Sequence, residues 1–539
     1  MSVVRSTIDP ASPSFAANRA AMLTLIARFR GLEEQVQRTS NAKKDQFLKR
    51  GQLLPRERVG LLLDRGSPFL ELSTLAGLGM HDDDGKENVL GGGVIDGIGY
   101  VAGVRCLISA SDSAIKGGTT APMGLKKKLR CQEIALVNKL PLIQLVESGG
   151  ANLNYQAQIF VEGGQTFRNQ ARLSAAGIPQ VTVVHGSSTA GGAYLPGLSD
   201  YVIMVKNRAK VFLAGPPLLR AATGEIAGDE ELGGAEMHSM VSGVSDYLAE
   251  DDADGIRLCR EVMAKLHWND ALPPQRERSF REPRYDIDEL CGVVPVDYRK
   301  PYDVREVVAR LVDDSDFVEF KALYGAQTIC GEAEVEGYPL GIVGNNGPID
   351  ADGSVKAAQF IQLMCQAGIP ILYLQNTTGY MVGTEAERRG IVKHGSKMIQ
   401  AVANASVPQL TLHIGASFGA GNYGMCGRAY DPRFIFAWPN NRIAVMGGEQ
   451  AAKVLAIITE DRQRRAGRPV DERQLEAMKQ KIVDQFDRES TALYATARLW
   501  DDGLIDPRDS RKVLGFCLSI CRDAAIRPLN RTSFGVARM

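Results

Sequence analysis

The chain has 539 residues, beyond the size at which one hydrophobic core usually stops growing, so at least two domains are expected and neither needs a disulfide or metal staple. Lysine plus arginine balances aspartate plus glutamate at 63 each, tryptophan occurs only three times, and no basic block is interleaved with aromatics. That pattern gives no support to a nucleic-acid groove or a membrane surface and leaves small anionic ligands open.

The start, MSVVRSTIDP, has no leader, no apolar run approaches 18 residues, and the nine cysteines include no CxxC pair. Reduced cytosol or an organelle lumen fits, with the cytoplasm the expected location and no transmembrane helix. Residues 14–45 place Phe15, Met22, Leu25, Ile26, Phe29 and Leu32 at helical spacing and predict an N-terminal helical arm, followed by a short helix in LLPRERVGLLLD. From Gly91 onward, Val/Ile/Gly-rich strands alternate with helices: GGVIDGIGYVAGVRCLISAS, LKKKLRCQEIALVNK, LPLIQLVESGG, FRNQARLSAAG and IPQVTVVHGSS. Short loops between such elements predict α/β layers with a largely parallel sheet.

The second half repeats this order in EAEVEGYPLGIVGNNG, SVKAAQFIQLMCQAG, IPILYLQNTTG, GIVKHGSKMIQAVANA and VPQLTLHIGAS. An offset of 229 residues lays Pro141 on Pro370, Leu145 on Leu374, Gly186 on Gly415, Ala190 on Gly419, Gly192 on Gly421 and Tyr194 on Tyr423. Register held over about fifty residues predicts two copies of one fold. Between them, HWNDALPPQRERSFREPRYD (267–286) is the candidate linker, and a charged helical segment, DRQRRAGRPVDERQLEAMKQKIVDQFDRES, follows the second copy. EAMKQK within it nearly spells a biotin-acceptor sequence, but its helical setting makes Lys479 a surface lysine.

Each copy ends a strand with a glycine-rich turn, SSTAGGAY and ASFGAGNY. Glycine reaches positive φ cheaply and leaves N–H groups unshielded, so convergent donors at Gly191 and Gly192, and at Ala420 and Gly421, can hold a developing oxyanion. Two such turns suggest a reaction with two carbonyl oxygens to stabilise; the bland alternative is a pair of tight connections. Lys116, Lys126, Lys127, Lys128 and Arg130 form a positive region suited to phosphates, or equally a solvated helix face. The six histidines form no close ligand pair, with His185 and His413 expected in hydrogen-bonded structural roles, and there is no GxSxG elbow, Walker A loop or Rossmann fingerprint.

The motifs SDSAIKGGT, ESGGANL, STAGGAY, FLAGPPLLRAATGE, ELGGAEMHS, QNTTGYMVG, KHGSKM and GASFGAGNYGMCGRAYDP resemble the carboxyltransferase (beta) subunit of biotin-dependent acyl-CoA carboxylases along nearly the whole chain. They are most similar to the branch acting on 3-methyl-enoyl-CoA substrates, the methylcrotonyl-CoA and geranyl-CoA carboxylases. The resemblance implies two tandem crotonase-like domains, one for acyl-CoA over residues 1–275 with the helical arm and one for carboxybiotin over 276–539. It also implies a homohexameric core, an alpha6beta6 holoenzyme, no metal in this subunit, and a partner alpha subunit that carries biotin and uses ATP and bicarbonate. Carried onto this chain, Gly191 and Gly192 hold the thioester oxygen of the acyl-CoA, with Lys116, Gly117, Gly118, Ser148, Gly149, Gly150, Ala151, Ala193 and Tyr194 around it. Ala420 and Gly421 hold the biotin ureido oxygen, with Thr378, Gly379, Phe418, Gly419 and Tyr423 around it.

In methylcrotonyl-type subunits a charged, aromatic-rich stretch precedes an FYNQ-like sequence; here NYQAQIFVEGGQTFRNQ is about three residues shorter and Gly163 stands where the family has phenylalanine. The lost ring leaves room for several methylenes, which favours a prenyl tail such as that of geranyl-CoA, with methylcrotonyl-CoA the alternative; refilling by Phe160, Tyr155 or Phe167 would close that room. A hydratase or isomerase using Glu147, or a scaffold without activity, are the competing classes.

Overall fold

The computed structural model describes residues 3–81, 90–273, 278–467 and 469–537. The first half builds β1 (Leu70–Leu72), β2 (Val94–Val101), β3 (Val104–Ser111), β4 (Leu142–Ser148), β5 (Gln180–Thr189), β6 (Tyr201–Val205), β7 (Lys210–Phe212) and β8 (Tyr247–Ala249). They form one sheet in the order β1-β2-β3-β4-β5-β6-β8, with β7 beside the end of β5. The second half builds β9 (Val318–Glu319), β10 (Thr328–Val335), β11 (Tyr338–Asn345), β12 (Ile371–Thr377), β13 (Gln409–Phe418), β14 (Phe434–Ala437) and β15 (Arg442–Ala444). Their order, β9-β10-β11-β12-β13-β14 with β15 beside β13, repeats the first sheet.

The physical devices repeat as well. Each antiparallel hairpin, β2–β3 and β10–β11, turns on two residues of positive φ, Ala102–Gly103 and Glu336–Gly337, which is the turn whose twist matches paired strands. Each parallel pair that follows needs a crossover, supplied by helices Pro122–Val137 and Gln156–Ala175 in the first half and Ala351–Ala367 and Ile391–Ala403 in the second. Covered on both faces, β3 and β13 are buried at every position, which explains their continuous rather than alternating apolar runs. The molecule is thus an α/β protein of two structurally similar tandem sheet domains, the expected class. Ile143, Val183 and Ile203 lie in the first core; Val343, Phe360 and Tyr373 lie in the second.

Packing divides the chain into two compact units: Met1–Arg30 with Arg276–Thr496 and Trp500–Cys521, and Gly31–Gln275 with Ala497–Leu499 and Arg522–Met539. These units share the division at 275/276 with the expected spans of 1–275 and 276–539, and they group residues 1–30 with the second half and 522–539 with the first. The first residues pack with the second half because Glu306 there accepts hydrogen bonds from Ser6 Oγ (2.5 Å), Thr7 N–H (2.7 Å) and Arg310 Nη1 (2.9 Å). The chain end returns to the first half, where Ser174 Oγ accepts from the Val536 N–H at 3.0 Å. The expected linker includes residues 274–277, which lie outside the described residues; its remainder forms only turns and bends. The charged segment is two helices packed on one another, Gly448–Arg465 and Glu472–Glu489, and Lys479 there pairs with Glu476 at 3.2 Å. Among the described residues no helix is long and apolar enough to cross a membrane.

Candidate active site

Both glycine turns rest on the same irregularity. Along β4 and β5 the pairing runs Val146 to Val184 and then jumps to Ser148 with Ser188; along β12 and β13 it runs Gln375 to His413 and jumps to Thr377 with Ser417. Three residues of one strand thus face one of the other, Glu147 in the first half and Asn376 in the second. The bulge bends the strand end so that its last residues pair with β7 or β15. It also dictates Gly186 and Gly415, since a Cβ there would lie 2.6 Å from Glu147 Cγ or 2.3 Å from Asn376 Oδ1.

After each strand a single residue takes positive φ, Ala190 at 52° and Gly419 at 56°, and starts a helical turn. This corrects the expected reason for the glycines that follow: Gly191, Gly192 and Gly421 do not need positive φ. Gly421 is required by space, because a Cβ would sit 2.9 Å from Gly379 Cα and from Thr377 Cγ2. Gly192 is looser, with Ser188 Oγ at 3.6 Å and Ser148 Cβ at 3.8 Å from that point. Gly191 and Gly192 lie in the 3-10 turn Ala190–Ala193, and Ala420 and Gly421 in the first turn of the helix Gly419–Gly424, where the leading N–H groups lack a partner within the helix. Gly191 and Ala420 are exposed, and Tyr194 and Tyr423 are matched at 46% and 47% exposure beside them.

Other loops converge on each turn. Lys116, Gly117 and Gly118 take three successive positive φ values, and Gly149 N–H donates to Gly117 O at 3.2 Å. Thr120 N–H donates to Gly150 O at 2.8 Å, Ala151 bridges to Thr120, and Ser148 Oγ accepts from Gly150 N–H at 3.1 Å. Ser188 Oγ donates to Gly192 O at 2.9 Å, while Ala193 is buried beneath the turn. In the second half, Gly379 at φ 116° approaches Phe418 O, Thr378 is exposed beside it, and Phe418 is buried edge-on to Tyr298.

Several expectations change. The helix expected over FRNQARLSAAG starts earlier, so Gly163 lies inside the helix Gln156–Ala175, where a Cβ would meet only Ile159 Cγ2 at 3.9 Å; at Gly164 it would meet nothing within 4 Å. Phe167, one turn further on, packs on Tyr194 with ring centroids 5.4 Å apart and lies 3.6 Å from where a Gly191 Cβ would sit. The positive region does not share one face: Lys127 is buried with Nζ donating to Val94 O (2.8 Å) and Gly91 O, and the buried Arg130 pairs with Glu133. His185 does bond, through Nδ1 to Asp252 at 2.8 Å. His413 does not: both its ring nitrogens are buried without a partner among the described residues, and burial pushes its pKa down to about 4.

Residues not singled out from sequence complete the frames. Gln375 accepts from Ser417 Oγ (2.5 Å) and donates to Met425 O (2.6 Å), and Asn422 Nδ2 donates to Ser417 Oγ (2.7 Å), bracing the second turn. The polar QNTTG ending an apolar strand was the available signal. Below the first turn, buried Arg58 donates to Glu147 Oε2 through Nη1 (2.8 Å) and to Asp252 Oδ2 through Nε (3.1 Å). Burial alone would raise Asp252, but its hydrogen bond and charge contact with His185, with Arg58, outweigh it and hold the carboxyl at about 2.

The class of protein is defined by this duplicated α/β frame, in which two matched glycine turns each follow a bulged strand, together with its family. The carboxyl transferase domain matches residues 46–533, and the chain belongs to that family as the carboxyltransferase component of biotin-dependent acyl-CoA carboxylases. A solved structure described as the beta subunit of P. aeruginosa geranyl-CoA carboxylase is 60% identical, covers 100% of both chains and superposes with a TM-score of 0.94. The probable mitochondrial methylcrotonoyl-CoA carboxylase beta chain of Drosophila melanogaster is 49% identical over 100% of this chain and 95% of its own. The 3-methylcrotonyl-coenzyme A carboxylase beta1 subunit of Mycobacterium tuberculosis is 51% identical over 92% and 93%. Among the described residues no group of three or more His, Cys, Asp or Glu is placed to hold a metal.

Proposed function

We propose that this chain transfers the carboxyl group to the γ-methyl carbon of a 3-methyl-2-enoyl-CoA, with geranyl-CoA the preferred substrate. The observation that carries the preference is the open floor at Gly163. Phe160, Gly163, Gly164 and Phe167 fall at i, i+3, i+4 and i+7 on one helix, so a glycine gap lies between two rings, one of them beside the first turn. An extended apolar tail fits along such a gap, whereas a phenylalanine at 163 would fill it.

In this reading the Gly191 and Gly192 N–H groups hold the thioester oxygen as negative charge builds on it through the conjugated C2–C3 double bond. Ala420 and Gly421 hold the ureido oxygen of biotin, and Gly379 and Thr377 press the Gly421 backbone into place. When bound, carboxylated biotin supplies both the CO2 and the base. No side-chain base of this chain is then needed, and Glu147 is poorly suited to be one, because Arg58 and Ser113 each bond its Oε2 at 2.8 Å. That disfavours the hydratase reading. A partner alpha subunit that carries biotin and uses ATP and bicarbonate belongs to the same reading, supported by relatives described as beta chains and beta subunits. A homohexameric core, alpha6beta6 with its partner, belongs to the same reading; exposed apolar side chains such as Val161 and Ile457 support an interaction surface of some kind.

The test is carboxylation by the purified chain with and without its biotinylated partner, across a panel of acyl-CoAs. The chain alone should be inactive with ATP and bicarbonate. With the partner, geranyl-CoA should give the highest kcat/KM; a higher value for methylcrotonyl-CoA would select the alternative reading, which the 49–51% identical relatives favour.

A further inference from the structure

We propose that Glu147, gripped by Arg58, is a positioning residue that fixes the first turn for the reaction. This rests on the assignment of acyl-CoA to that turn. Glu147 is the single residue opposite the bulge of β5, and its side chain lies against Gly186, which has no room for a Cβ. Its carboxylate accepts from Arg58 Nη1 and Ser113 Oγ, both at 2.8 Å, and from Gln52 Nε2 at 3.4 Å. Its own carbonyl presses on Gly118, where a Cβ would sit 2.1 Å away. One residue therefore ties together the loop at 113–118, the end of β4 and the bulge that leads into Gly191 and Gly192.

The bulge is fastened to the same cluster from its other end. Gln52 Nε2 donates to His185 O at 3.2 Å, His185 Nδ1 meets Asp252, and Asp252 accepts from Arg58 and from the Leu53 N–H at 2.8 Å. The second half holds the equivalent carbonyl, Ile414 O, with Tyr302 Oη (3.2 Å) and Asn440 Nδ2 (3.1 Å), and fills the bulge with neutral Asn376, which accepts from the Ala416 N–H. Neutral groups therefore suffice to build the bulge. Buried ion pairs are costly to desolvate and add little net stability, but their charged hydrogen bonds are short and directional. Placing Arg58, 1% exposed, under one turn and not the other points to geometric control of that turn.

The test uses Glu147→Gln in the holoenzyme. The amide keeps the length and can accept from Ser113, but it removes one of the two carboxylate charges that Arg58 faces, leaving Asp252. The expected result is a fall in kcat of about tenfold or more, with KM for the acyl-CoA within about threefold and KM for the biotinylated partner unchanged, because small displacements of donors act in the transition state. A kcat per folded enzyme within about twofold of the parent, whatever happens to thermal stability, would overturn the proposal while leaving the substrate assignment intact. A raised KM for the biotinylated partner with acyl-CoA parameters unchanged would overturn both. Should Glu147→Gln fail to assemble, Ser113→Ala removes one hydrogen bond to the same carboxylate and is read by the same split, with about a threefold fall in kcat expected and an unchanged kcat overturning the proposal.

Discussion

At the first turn the left-handed residue is an alanine and the space behind Gly192 is loose; at the second it is a glycine and Gly421 is wedged against Gly379 and Thr377. The first turn stands over a buried charged cluster built on Arg58, the second over amides and hydroxyls around Gln375, Ser417 and Asn422. One backbone device has thus been fixed in place by two different chemistries. Glycines that look interchangeable in sequence are there for different reasons: a bulge at 186 and 415, a positive φ at 419, and close packing at 421.

The largest expected effect separates the packed turn from the loose one. Gly421→Ala puts a methyl 2.9 Å from Gly379 Cα, so backbone must move and the N–H donors with it; kcat should drop roughly a hundredfold or more, the cost of losing an oxyanion donor. Gly192→Ala meets only ordinary contacts and should stay within about fivefold; parallel steady-state assays on assembled enzyme check both, and equal losses would erase the distinction. Next, Gly163→Phe should fill the helix gap and lower kcat/KM for geranyl-CoA relative to methylcrotonyl-CoA by about a hundredfold, in line with displacing a few methylenes at roughly 0.8 kcal/mol each. An unchanged ratio, measured for both substrates in one preparation, would refute Gly163 as selector.

A further effect, on stability rather than turnover, concerns the buried His413. Burial holds His413 neutral with a pKa near 4, while an unfolded histidine titrates near 6.5. The unfolded chain therefore binds one more proton in between, and the stability this gives is full above pH 6.5 and is lost as pH falls toward 4, by about 3 kcal/mol. His413→Leu should flatten that arm of a pH series of denaturant unfolding. The smallest effect concerns φ: Gly419→Ala, which also brings a Cβ to 3.0 Å from Val445 O, should lower Tm more than Ala190→Gly changes it, the latter remaining within about 1 kcal/mol.

The duplication was legible because the residues that build it are short-range signals: an apolar strand, then glycines, at one offset in both halves. The spatial convergence of 116–118, 148–151 and 190–194 followed from the same topology. The helix expected from Phe167 onward begins earlier and takes in Gly163 and Gly164, because the amphipathic packing of the twenty residues from Gln156 to Ala175 outweighs the low propensity of two glycines. Lys127 read as surface charge, whereas carbonyls at 91 and 94, distant in sequence, satisfy its ammonium. The Arg58–Glu147–Asp252–His185 cluster joins positions up to 194 residues apart and left no local pattern to find. The packing of residues 1–30 with the second half depends on Glu306 and Arg310 in the same way.

The central claim, that one turn serves each partner of the reaction, is tested most directly by a structure of the assembled enzyme with an unreactive acyl-CoA analogue and biotin bound together. The account predicts the thioester oxygen within hydrogen-bond distance of the Gly191 and Gly192 nitrogens, the ureido oxygen on Ala420 and Gly421, and the acyl tail running past Phe167 toward Gly163. The two oxygens on exchanged turns, or either one held by side chains with the backbone N–H groups unused, would contradict it.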